Sequence, residues 1–138
     1  MITNISCLEE ANLNDLITVE VNYINNTGTA NSFALLFCAS TAPHETCNIK
    51  QYTSPSFILG INETGTKYIQ FLMPSEPVSY VATIQKWDIS TNAWITLNSK
   101  PCVINIIPQE VADNTLLYAT AASVILNIIA GIYLITKK

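Results

Sequence analysis

The sequence predicts a mainly β protein: one β-sandwich of about seven strands over residues 1–107, then one apolar, transmembrane-type α-helix within residues 108–138. Three observations carry this reading. Apolar and polar residues alternate over short runs, and turn residues punctuate those runs at intervals of about 8–12 residues. Near the C-terminus, Leu116 to Thr136 supplies 21 residues without a charge.

Each element follows from local pattern. In DLITVEVNYI (15–24), Ile17, Val19, Val21 and Tyr23 fall on one face and Thr18, Glu20 and Asn22 on the other, the period of a half-buried strand. NNTGTANS (25–32) is a turn, rich in residues that tolerate positive φ. The apolar run SFALLFC (32–38) reads as a central strand, and ASTAPHET (39–46) as a loop. QYT (51–53) and SFILGI (56–61) are shorter strand candidates separated by Pro55. An NETGT turn (62–66) introduces KYIQFLM (67–73), with Ile69, Phe71 and Met73 facing one way and Pro74 and Pro77 ending the run. VSYVATIQKW (78–87) is the longest strand, and DISTNA (88–93) turns it back into WITL (94–97). PCVINII (101–107) is a separate last strand before the helix.

Composition narrows the function classes. Of 138 residues, 12% are charged and 49% hydrophobic, which excludes a disordered chain. Six Lys and no Arg against ten Asp and Glu give a net charge of −4, so the clustered cations of a nucleic-acid surface are missing. Fourteen Asn, 15 Thr and 10 Ser do the solvating instead. Residues 1–113 hold all ten carboxylates and four Lys, net −6.

Leu116–Thr136 is long enough, at about 1.5 Å per residue, to span a bilayer's hydrocarbon core. A buried core helix would show a polar face, and this segment has no charged one. Pro108 with Gln109 and Glu110, or Asp113 with Asn114, fits a helix first turn. Lys137 and Lys138 argue for a cytoplasmic C-terminus and a body outside. Residues 1–20 are acidic where a signal peptide is basic, and lack its apolar core. The expectation is therefore a signal removed before this numbering, insertion directed by the C-terminal helix, or uptake into a virion membrane during assembly.

The four cysteines, Cys7, Cys38, Cys47 and Cys102, fit an oxidising exterior as two disulfides with three connectivities open. The pairing expected is Cys38 with Cys47 across the ASTAPHET loop and Cys7 with Cys102 between the ends of the domain. No C-x-x-C pair exists, and His44 with Cys47 lacks a second histidine, so no metal and no cofactor is expected. Sequons at Asn4, Asn25 and Asn62 are candidate glycosylation sites.

Residues 17–37, an alternating strand, NNTGT and a second apolar strand, resemble the opening hairpin of cell-adhesion-related domains of prokaryotic surface proteins. GINETGTKYIQFLMPSEPVSYVATI (60–84) resembles their second half, with a proline corner and a tyrosine-bearing return strand. The resemblance covers about residues 2–107 and implies an immunoglobulin-like β-sandwich used for adhesion or scaffolding, without catalytic residues. The cysteines and the single module depart from that family's pattern. Richness in Asn, Thr and Ile with low charge is also similar to surface and virion proteins of acid-living archaea and their viruses.

Enzyme chemistry finds no support in the sequence. His44 is a lone loop histidine beside Glu45, no G-x-S-x-G elbow occurs, and Glu9–Glu10 reads as a solvated pair. No small-molecule substrate is expected. Trp87 and Trp94 flank one hairpin and could stack a sugar, although cross-strand packing is the commoner use of such a pair. In the helix, Ala119, Ser123, Asn127 and Gly131 recur every four residues, a stripe on which two backbones approach closely and the Asn amide bonds across helices. The expectation is a structural, membrane-anchored homo-oligomer: an archaeal virion envelope or tail component, working with other structural proteins of its assembly. A cellular surface or filament subunit is the runner-up and a sugar-binding adhesin the third reading.

Overall fold

The computed structural model describes residues 1–41 and 46–108. The helix expected beyond Pro108, its stripe of Ala119, Ser123, Asn127 and Gly131, and the loop residues His44 and Glu45 lie outside the described residues. Among the described residues no helix is long and apolar enough to cross a membrane.

Nine strands occur among the described residues: β1 (Ile2–Ile5), β2 (Glu10–Ala11), β3 (Leu16–Ile24), β4 (Asn31–Thr41), β5 (Lys50–Thr53), β6 (Phe57–Leu59), β7 (Thr64–Leu72), β8 (Val78–Asp88) and β9 (Ala93–Ile106). They form two sheets. The smaller has the order β1-β3-β7; the larger runs β2-β9-β8-β4-β5, with β6 also paired to β4. All pairings are antiparallel except β2 on β9, which is parallel.

The alternation read in the sequence becomes the core. Ile17, Val19, Val21 and Tyr23 of β3, with Ile69 and Phe71 of β7, face Phe33, Leu35, Phe37 and Ala39 of β4 and Val78, Tyr80, Ala82 and Ile84 of β8, all buried in one cluster. Burial of this kind stabilises by roughly 1.5–3 kcal/mol for each large side chain. Phe37, Phe71 and Tyr80 pack ring to ring at centroid distances of 5.4–6.3 Å.

Three features differ from the sequence expectation. WITL and PCVINII are one strand, β9, of 14 residues. Residues 98–100, left between the two expected strands, are paired as well, and β9 holds its register with β8 from Val78↔Ile104 to Asp88↔Ala93, with one shift at Ile84/Gln85. A residue without an N–H is tolerated where a strand has a neighbour on one side. Second, the NETGT stretch is not all turn, because Thr64 and Gly65 already belong to β7 and Gly65 lies opposite Tyr23. A Cβ at Gly65 would collide with the Tyr23 ring, so the glycine is required by close approach rather than by a bend. Third, the N-terminal segment supplies two strands. It leaves β3 of the small sheet and joins β9 of the large one, so it crosses one side of the sandwich.

Three devices hold that crossing. The Asn98 amide accepts from the Ile2 N–H at 2.8 Å and donates to the Ile2 carbonyl at 2.9 Å, taking the place of a strand peptide. The Tyr80 hydroxyl donates to the Ser6 carbonyl. Cys7 is bonded to Cys102, with Cα atoms 5.8 Å apart.

Candidate interaction surface

Charged groups do not converge. Among the described residues no three of His, Cys, Asp and Glu gather as metal ligands, and every buried side-chain nitrogen or oxygen has a hydrogen-bond partner. The shifted titrating groups have structural causes. Burial pushes the Tyr80 hydroxyl up to about 12 and raises Tyr23. Hydrogen bonds from Thr91 and Ser90 hold the Asp88 carboxyl below its ordinary value, as they do when capping a turn.

The candidate residues are dispersed over the domain. Cys38–Cys47 closes the loop after β4, Cα atoms 4.8 Å apart, and Cys47 takes the left-handed φ of 54°. Trp87 and Trp94 are direct register partners whose rings meet edge to face at 5.3 Å. Each ring packs on the other, so the pair does not present two parallel planes to a sugar.

The sequons divide. Asn4 and Asn62 are exposed, while Asn25 is fully buried. The Asn25 amide nitrogen donates to the carbonyls of Thr29 (2.7 Å), Leu59 (3.0 Å) and Gly60 (3.0 Å). Its oxygen accepts from the Thr27 N–H (3.0 Å) and hydroxyl (2.6 Å). In the folded domain this nitrogen is enclosed by its three carbonyl partners. The NNTGT turn needed an internal polar anchor, and the sequon pattern coincides with it.

One surface has an unusual chemistry that the sequence did not disclose. On the outer face of the large sheet, β8 presents Ser79, Val81, Thr83, Gln85 and Trp87, and β9 presents Trp94, Thr96, Ser99, Pro101 and Val103. β4 adds Ser32, Leu36 and Cys38, with Ala34 and Ser40 buried on the same side, while β5 adds Gln51 and Thr53. None of these is charged. A shallow hollow lies here over Leu36, Val81 and Thr83, rimmed by Gln51 and Cys47. Cross-strand bonds join Thr83 to Ser99 at 2.8 Å and Gln85 to Thr96 at 3.4 Å. The signal was readable in principle, as the outward set of each alternating strand, but only once strand order was known.

On the opposite side from the N-terminal crossing, β7 is the last strand of its sheet among the described residues, and a groove beside it is lined by Lys50, Tyr52, Tyr68, Ile69 and Gln70. The fold and these surfaces together define a disulfide-braced β-sandwich whose larger sheet, over β4, β5, β8 and β9, carries no charged side chain outward among the described residues. No protein-family model and no curated protein matches the chain.

Proposed function

We propose that this chain is a non-enzymatic structural protein: a disulfide-locked sandwich carried outside a membrane by the apolar segment Leu116–Thr136. The observation that carries the reading is the combination of an uncharged membrane-length segment with a body whose cysteines are all paired. Disulfides persist where the exterior is oxidising, and such a segment partitions into lipid. The polar groups of the body are spent on its own turns and crossings, as with Asn25 and Asn98, rather than aimed into a cleft.

The proposed fold is immunoglobulin-like. Support comes from strand order, with a first segment divided between β3 of one sheet and β9 of the other, and from the antiparallel β9-β8-β4-β5 run. Low charge and the wealth of Asn, Thr and Ile favour the exterior of an acid-living archaeon, and within that setting a virion envelope or tail component. Assembly through the stripe Ala119, Ser123, Asn127 and Gly131 belongs to the same proposal.

Fractionation and imaging test it. The chain should sediment with membranes, and particles purified from producing cells should contain it together with nucleic acid and a capsid. Long fibres without nucleic acid would favour the filament subunit, and a chain found only in the soluble fraction would refute the anchored reading. Gly131→Leu and Asn127→Leu should reduce cross-linked oligomers in mild detergent, whereas Ile125→Leu should not.

A further inference from the structure

We propose that the outer face of β4, β5, β8 and β9, whose described residues carry no charge, docks a second copy of this chain, the two faces meeting about a twofold axis near Thr83. The inference rests on the reading of the protein as a self-assembling structural component, and adds a contact made by the sandwich itself.

Charge selects the occupant. Residues 1–113 carry a net −6, so two copies repel at most approaches. The described carboxylates sit at strand ends, in turns, or on the small sheet: Glu9, Asp15, Glu63, Glu76 and Asp88 at the rims, and Glu20 on β3. Glu10, paired with Asn105, lies on the outer face of the large sheet itself, on β2 beyond β9. Among the described residues, β5, β4, β8 and β9 carry no carboxylate on this face, so two copies meeting over these four strands, with β2 at the rim, bury no described ion, which would cost several kcal/mol. A strongly charged partner would find no countercharge here. A sugar would find the two Trp rings turned on each other.

Size and desolvation agree. β8 is 11 residues long. At about 3.3 Å per residue and about 4.8 Å between strands, β4, β8 and the longer β9, with the short β5 and β6, present roughly 700 Å². That is near the roughly 800 Å² per partner of a stable interface. The Thr83–Ser99 and Gln85–Thr96 pairs are joined within one copy, and Ser79, Gln51 and Thr53 supply polar groups that bond across the contact or through bridging water. Leu36, Val81 and Val103 supply apolar area, with Val103 54% exposed. The isologous arrangement closes on itself, leaving the β7 edge and the small sheet outside the contact.

The test uses the full chain in mild detergent, with mass measured by sedimentation velocity at several concentrations. Thr83→Glu and Thr83→Lys each place like charges against each other across the axis, and each should weaken one association step at least tenfold. Mixing the two variants should restore it, because the charges then oppose. A photo-crosslinking residue in place of Ser99 should link a chain to its own copy. Far-UV circular dichroism and intact disulfides check the fold of each variant; Ser99→Lys replaces Thr83→Lys if the latter misfolds. Oligomers unchanged in both charge variants would overturn the proposal. So would no recovery on mixing, or crosslinks only to lipid or to a different protein. Membrane sedimentation and particle imaging do not depend on these variants. A chain found in particles with charge-insensitive oligomers would therefore sink the face contact alone and leave the structural reading standing.

Discussion

Asn25→Ala removes the anchor that ties the β3–β4 turn to the β6–β7 turn. Five hydrogen bonds end on its side chain. At a net contribution of roughly 1 kcal/mol each the ceiling is about 5 kcal/mol. The Thr27 and Thr29 groups lie near the surface and regain water, whereas the Leu59 carbonyl bond is buried. A loss of about 3 kcal/mol is therefore expected. The assay is a urea titration of the full chain in mild detergent, followed by Trp87 and Trp94 fluorescence. With a slope of about 1.5 kcal/mol/M, the midpoint should fall by about 2 M. Asn25→Asp is the control: it keeps the size and the acceptor but turns a carboxylate toward three carbonyl oxygens. It should be at least as damaging as alanine. Two backbone bonds remain in both variants, Asn25 N–H to the Glu63 carbonyl and Asn62 N–H to the Asn25 carbonyl, each 2.9 Å. A loss below about 1 kcal/mol in both variants would mean that these hold the turns alone, and the reasoning would be refuted.

Four further outcomes are expected. Gly65→Ala should destabilise by about 1–3 kcal/mol in the same titration, because Tyr23 must leave its packing against Phe57, 5.2 Å away, to admit a Cβ. Cys7→Ala with Cys102→Ala should cost more than Cys38→Ala with Cys47→Ala, since the bridges span 95 and 9 residues; chain entropy gives about 4–5 against about 2–3 kcal/mol, compared by thermal melting. Tyr80 ionises later in the folded state than in the unfolded one, so its stabilisation is complete below pH 10 and is lost as pH rises through about 12. Tyr80→Phe should flatten that alkaline slope, with Tyr23 contributing the remainder in the same direction. In a glycosylating host, mass mapping of folded protein should find glycan at Asn4 or Asn62 and none at Asn25, whose nitrogen is enclosed.

The strands that bury one face could be read directly, because a period of two is a local property. Ile17, Val19, Val21 and Tyr23 needed no knowledge of partners. What escaped were features set by distant residues. β2 is two residues long and exists through its parallel pairing with Asn105 and Ile106 and through the nearby Cys7–Cys102 bond. β9 runs through Pro101 because β8 holds it on one side, whereas local propensity alone ends a strand there. Gly65 resembles a turn residue in a window of five, and its reason lies 42 positions away in the ring of Tyr23. The uncharged face was invisible for a related cause. Its Ser, Thr and Val are ordinary within each strand, and become one surface only when four strands are ordered side by side.

The bridge between Cys7 and Cys102 has a mechanical consequence if the residues after Pro108 are held in a membrane. Tension on the anchor enters the domain through the end of β9 and meets a covalent tie after only residues 103–107 have peeled. Detached from the sheet, those five residues form a tether of at most about 17 Å. Beyond that point, pulling β9 further must drag the N-terminal crossing with it. The load then spreads over Asn98 with Ile2, Tyr80 with Ser6, and the β1–β3 ladder, in both sheets together. The sandwich thus resists as a unit rather than unravelling strand by strand from its tethered end.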